Sequence, residues 1–122
     1  MVSSKRVYEP YTPTDGFRVL IDRLWPRGLS KASAHVDLWA RDIAPSNELR
    51  QWYGHDPAKW PEFRKRYTHE FRSGPAKRAL DDLVRRAKAG HITLLYSSRA
   101  EGINNATVLE AVLARRLGRG AK

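Results

Sequence analysis

The sequence predicts an α/β protein, three or four strands with helices packed around them. Three observations lead there. Two short apolar runs, Phe17-Arg18-Val19-Leu20-Ile21 and Ile92-Thr93-Leu94-Leu95-Tyr96, have the length and composition of buried strands. Between and after them lie segments with apolar residues at helical spacing and recognisable start and stop residues. The length, 122 residues, suits one domain spanning 1–122, which should bury roughly two-thirds of its unfolded surface.

Along the chain, residues 5–8 read as a short first strand. Residues 9–16 hold two prolines, an aspartate and a glycine and read as a loop. The strand at 17–21 follows. Trp25-Pro26 then imposes an extended exit, because the residue before a proline disfavours the helical region. Ser30 can cap a short helix over 31–34. Residues 36–43 fit either period: Val36, Trp39, Ala40 and Ile43 suit a helix, while Val36, Leu38 and Ala40 suit a strand. Pro45 ends that element, and Ser46 can cap a helix that stops at Gly54. Asp56-Pro57 starts a helix to about Arg72, with Trp60, Phe63, Tyr67 and Phe71 as its core stripe. Another helix spans 75–89, with Leu80, Leu83, Val84 and Ala87 facing the core and Gly90 at its end. After the strand at 92–96, a last helix begins near Asn104 or Asn105 and should fray over 118–122.

Each of the two apolar runs ends in a polar cluster. The first runs into Asp22-Arg23-Leu24-Trp25-Pro26-Arg27-Gly28, the second into Ser97-Ser98-Arg99 and then Glu101-Gly102-Ile103-Asn104-Asn105. In open α/β sheets, ligands bind beyond the carboxyl ends of the strands. If these two strands are parallel neighbours, both clusters line one crevice.

Composition limits what the crevice can do. With no cysteine there is no disulfide, thiol nucleophile or thiolate metal site. His35, His55, His69 and His91 show no metal-ligand spacing, so no metal or cofactor is expected. No apolar run approaches the ~20 residues that span a bilayer, and Met1-Val2-Ser3-Ser4-Lys5-Arg6 lacks the apolar stretch of a signal peptide. A cytoplasmic protein with no membrane partner is expected, its oligomeric state open.

Lys and Arg number 23 against 13 acids, a formal net charge of +10. Such a field attracts phosphates and nucleic acid, and arginine suits planar, bidentate contact with carboxylate or phosphate. A solvated surface explains the charge equally well. The densest groups, Arg64-Lys65-Arg66, Lys77-Arg78, Arg85-Arg86 with Lys88, and Arg115-Arg116 with Arg119, fall on predicted helices, where charge usually marks a wet face.

Arg23, Arg27 and Arg99 can hold an anionic group. Asp22 can orient it or act as a base, or can instead pair with Arg99. Trp25 can offer a flat face to a base or sugar, although core packing suits it better. Asn104 and Asn105 open the last helix, whose N-terminus presents free N–H groups; one should cap, leaving the other for a ligand. Ser97 and Ser98 lack the context of a nucleophile elbow and suit hydrogen bonding. Tyr96 can donate a proton, although a tyrosine closing a buried strand more often packs. Asp22, Tyr96 and Ser97 are thus candidate catalytic groups, without a complete catalytic constellation.

Several runs together carry a resemblance: Asp22-Arg23-Leu24-Trp25-Pro26-Arg27-Gly28, Asp42-Ile43-Ala44-Pro45-Ser46, Leu49-Arg50-Gln51-Trp52-Tyr53-Gly54-His55-Asp56-Pro57, and Leu94-Leu95-Tyr96 with Asn104-Asn105-Ala106. From about Lys5 to Leu117 the chain resembles the YeaO-like branch of a bacterial family of unknown function. The resemblance implies a small Rossmann-like, mostly parallel sheet and tips 36–43 toward a strand. A longer branch of the family carries a cysteine near the end of the late strand, where this chain has Tyr96-Ser97-Ser98, so no cysteine mechanism transfers. The short branch often has His-Asn before the last helix, and Ile103 stands at that histidine position here. The expected function is therefore binding of an anionic small molecule or nucleotide in the crevice, with catalysis open. The alternatives are a nucleic-acid module using the basic surface, or an interaction protein in which Asp22, Arg23 and Arg27 are all satisfied internally.

Overall fold

The structure is a computed structural model; it describes residues 1–100 and 102–121, with side chains up to residue 118, so Glu101, Lys122 and the Arg119 side chain lie outside the described residues. Strands β1 (Val2–Arg6), β2 (Phe17–Leu20), β3 (Leu38–Trp39) and β4 (Ile92–Tyr96) form one sheet in the order β1-β4-β2-β3. Every pairing is parallel, with Arg6 opposite Tyr96 and Leu20 opposite Leu95. The carboxyl ends of β1, β4 and β2 therefore lie side by side. The helices are α1 (Lys31–Ala34), α2 (Asn47–Tyr53), α3 (Trp60–Glu70), α4 (Gly74–Ala89) and α5 (Asn105–Ala121).

Side chains alternate across a strand, and the sheet uses both faces unequally. Val19, Ile21, Ile92, Leu94 and Tyr96 join the main core with Leu49, Tyr53, Phe63, Tyr67, Leu83 and Leu109 from the longer helices. Leu20 and Leu95 point the other way, into a small core with Val7, Ala34 and the partly buried Trp25, Val36 and Trp39. All five residues of β4 are buried, as a central strand of a parallel sheet requires. The aromatic stripe on α3 is core: Phe63 stacks on Tyr53 at 4.2 Å, and Tyr67 is wholly buried.

The minor face also buries charge. Arg18, 1% exposed, bonds Asp15 and donates to the carbonyls of Ala34 and His35. Lys5 reaches the same carboxylate at 3.0 Å. Burial alone would raise the Asp15 pKa, but Lys5, Thr12 and Arg18 together outweigh it and hold the carboxyl well below the usual range.

Four expectations change. The first strand lies three residues earlier than the pattern suggested. Residues 36–43 are neither a full strand nor a helix: β3 is two residues long, and a 3-10 turn covers Arg41–Ile43. The ambiguity has a physical source, since Val36 and Trp39 serve the minor core and Ile43 the main one. The helix expected from Asp56 starts as a 3-10 turn at Pro57–Lys59, capped by Asp56, and becomes α-helical at Trp60. Gly90 ends α4 in extended backbone, φ 179°, not in the left-handed cap geometry. No helix among the described residues is long and apolar enough to cross a membrane.

Candidate functional site

Local sequence fixes the loop after β2 (residues 22–28). Trp25 sets its ring edge-on to Trp39 and donates its indole N–H to the Leu29 carbonyl at 2.7 Å. Trp39 donates to the Asp22 carbonyl at 2.8 Å, and Tyr8 donates its hydroxyl to the Arg27 carbonyl at 2.9 Å. Gly28 supplies the positive φ, 83°, that lets the chain turn back. Trp25 is thus an anchor that holds the loop in place as well as a wall of the site.

Asp22 joins three elements. Its Oδ2 accepts from the backbone N–H of Ser97 at 2.8 Å and from the Ser97 hydroxyl at 2.9 Å. Its Oδ1 accepts from the Asn105 amide at 3.0 Å, and that amide also reaches the Ile21 carbonyl at 3.1 Å. The carboxylate therefore fastens the end of β2 to the end of β4 and the start of α5. It does not pair with Arg99. Asn104 is the N-cap of α5, accepting the Thr107 N–H at 3.2 Å and donating to Ala100 at 2.8 Å. Both asparagine NH2 groups are thus engaged within the protein. The Ser98 hydroxyl accepts from the Ala100 N–H.

These elements enclose a cleft of about 720 Å³ at the carboxyl edge of the sheet. Asp22, Arg23, Trp25, Arg27, Ser97, Ser98, Arg99, Asn104 and Asn105 all line it; Tyr96 is buried behind it and does not. The two polar clusters thus share one crevice. Sequence reasoning missed Arg6, Tyr8, Arg50 and His55, which also line it. The signal for Arg50 and His55 was present in the run of residues 49–57. Arg6 was hidden because the first strand was placed too late for Arg6 to close it.

Among the described residues five arginines face this cleft, and one carboxylate does. Arg6 donates to the carbonyls of Ser97 and Ser98 at 3.0 and 3.1 Å. Arg23 reaches only the Pro45 carbonyl, at 3.5 Å, and its Nε is the one buried side-chain nitrogen or oxygen without a partner among the described residues. The side chains of Arg27, Arg50 and Arg99 are exposed and make no hydrogen bond or ion pair among the described residues. Elsewhere some of the basic residues are matched by acids: Arg85 and Arg86 pair with Asp82, Arg66 with Glu62, Lys77 and Arg116 with Asp81.

The charged side chains that line the cleft are mostly cations. The Ser97 hydroxyl donates a hydrogen bond directly to Asp22, without an intervening histidine, and the carboxylate accepts three hydrogen bonds in all. Among the described residues no cluster of His, Asp or Glu is arranged to hold a metal ion.

Fold and site together define a small parallel α/β protein with an arginine-lined cleft at the carboxyl edge. The chain belongs to the family described as the inactive DUF488-N3 subclade, which matches residues 1–122. It is similar to uncharacterized protein Rv3073c of Mycobacterium tuberculosis, 41% identical over 108 residues, covering 88% of this chain and 89% of the relative. It is also similar to uncharacterized protein YeaO of Escherichia coli, 38% identical over 109 residues, covering 88% and 92%. No solved structure matches it.

Proposed function

We propose that the protein binds an anionic, phosphate-bearing small molecule in this cleft and does no chemistry on it. One observation carries the reading: five arginines are gathered in a cleft whose one described carboxylate, Asp22, is engaged by Ser97 and Asn105, and Arg27, Arg50 and Arg99 have no acid partner among the described residues. Like charges in one cleft raise the free energy of the empty protein, and a bound anion relieves it. Asp22 and Ser97 act as a fastening for the site, which takes this carboxylate out of the role of a general base. The family description, inactive, agrees with binding in the absence of turnover.

A nucleic-acid face gains less support. Arg85 and Arg86 are paired, and neither they nor Arg64 and Lys65 line the cleft. Nor does an interaction protein without a ligand site account for an unpaired Arg27 and a half-satisfied Arg23.

The test is a thermal-shift screen of nucleotides, sugar phosphates and short oligonucleotides. A ligand at 100 times its Kd adds about 2.7 kcal/mol of stability. Stabilisation by phosphate-bearing small molecules, lost in the Arg27→Ala/Arg99→Ala double variant, supports the reading. Stabilisation by oligonucleotides alone overturns it.

A further inference from the structure

We infer that the ligand presents a chain of two or more linked phosphates; the inference rests on the anion-binding reading above and deepens it. The cleft arginines are spread along the sheet edge. The strand order puts β1 at one side of the sheet and β3 at the other, a width of about 14 Å for three strand spacings. Arg6 closes β1 and is held over the Ser97 and Ser98 carbonyls. Arg99 follows β4, the next strand in. Arg23 and Arg27 follow β2, and Arg23 reaches the carbonyl of Pro45, in the segment that follows β3 in the chain. Arg50 stands on α2, which begins two residues after Pro45.

A single phosphate bridges two or three neighbouring guanidiniums at most. It leaves the arginines at the far side unneutralised, with Asp22 already engaged by neutral donors. A di- or triphosphate lying along the edge meets the guanidiniums in succession and spreads its charge over all of them. The cavity, about 720 Å³, is also far larger than one phosphate needs and falls in the range of small-molecule sites. The deep end supplies a second, independent sign. The Arg23 guanidinium makes one long hydrogen bond, to the Pro45 carbonyl at 3.5 Å, and no ion pair among the described residues, so its remaining terminal N–H groups lack protein acceptors.

The linked phosphates can belong to free pyrophosphate or triphosphate or to a nucleotide, and the test separates these. Calorimetry at fixed ionic strength, without divalent metal, compares orthophosphate, pyrophosphate, triphosphate, ADP and adenosine on the wild type and on Arg50→Ala. Arg50 is exposed on a surface helix, so its loss leaves the fold intact. Pyrophosphate is expected to bind at least tenfold tighter than orthophosphate. Arg50→Ala is expected to weaken pyrophosphate about tenfold and orthophosphate less than twofold. ADP binding tighter than pyrophosphate assigns the linked phosphates to a nucleotide; pyrophosphate binding as tightly as ADP assigns them to the free form. Equal affinity for orthophosphate and pyrophosphate, or an Arg50→Ala effect equal on both, overturns this inference while the anion-binding reading stands. Absence of binding by every phosphate tested overturns both.

Discussion

Arg27 and Asp22 occupy the same short loop and have opposite fates. Asp22 is consumed by the Ser97 N–H, the Ser97 hydroxyl and the Asn105 amide, whereas the Arg27 side chain is left to solvent on a loop that Tyr8, Pro26 and Gly28 hold in place. Arg27→Lys keeps the charge and loses the planar fork. It is expected to fold normally and to weaken the phosphate ligand roughly tenfold, about 1.4 kcal/mol; calorimetry on the folded variant checks this, and unchanged affinity removes Arg27 from the site. Asp22→Ala should act on the fold instead. It strips three hydrogen bonds from a half-buried charged acceptor, so urea unfolding is expected to show a loss of about 2–3 kcal/mol. At this scale the sequence was informative where a motif concentrated unusual residues, as in Asp22 to Gly28. It was uninformative about partners. Nothing in the string says that the Asn105 NH2 group turns back to Ile21 and Asp22. Those contacts depend on β4 and β2 being neighbours, which is a long-range fact.

Elements were legible where their ends carry chemistry. Ser30 before α1, Ser46 before α2 and Gly54 after it each mark a boundary that the structure keeps. Residues 36–43 resisted because two cores compete for them, so no single period describes them. The loop before β2 shows how tightly an element end can be specified. Gly16 has φ 67°, and a Cβ there would lie 2.3 Å from the His91 carbonyl oxygen. Gly16→Ala therefore combines backbone strain with a clash against main chain, and should cost at least about 2 kcal/mol in chemical unfolding. Next to it, Asp15 binds Arg18 and Lys5 on the minor face. Because the folded pKa of Asp15 is depressed, its contribution is fully present above the ordinary carboxylate pKa near 4 and is lost as pH falls below it. Asp15→Asn is expected to lose about 3 kcal/mol at pH 7 by leaving Arg18 buried without its counter-charge. Its stability should also fall less between pH 4 and pH 2 than that of the wild type, which thermal unfolding across that range would read.

At the scale of the whole molecule, the sheet order builds the cleft. Placing β4 between β1 and β2 brings together chain segments that are far apart in sequence, so arginines from residues 6, 23, 27, 50 and 99 meet over one edge. The net charge of +10 was visible at once, yet it did not locate a site. Some of the helical basic residues form pairs with acids on the helix surfaces, and five arginines gather in the cleft. Composition cannot say which cations share a cleft; topology does. The most direct test of the cleft is a nuclear magnetic resonance titration with pyrophosphate, following the backbone amides together with the arginine Nε–H signals. The account predicts saturable shifts at Arg23 Nε–H and at the amides of residues 22–28, 97–99 and 104–105, abolished in the Arg27→Ala/Arg99→Ala variant. Shifts that do not saturate, or that scatter over the arginines of α3 and α4 and spare the cleft, would contradict it.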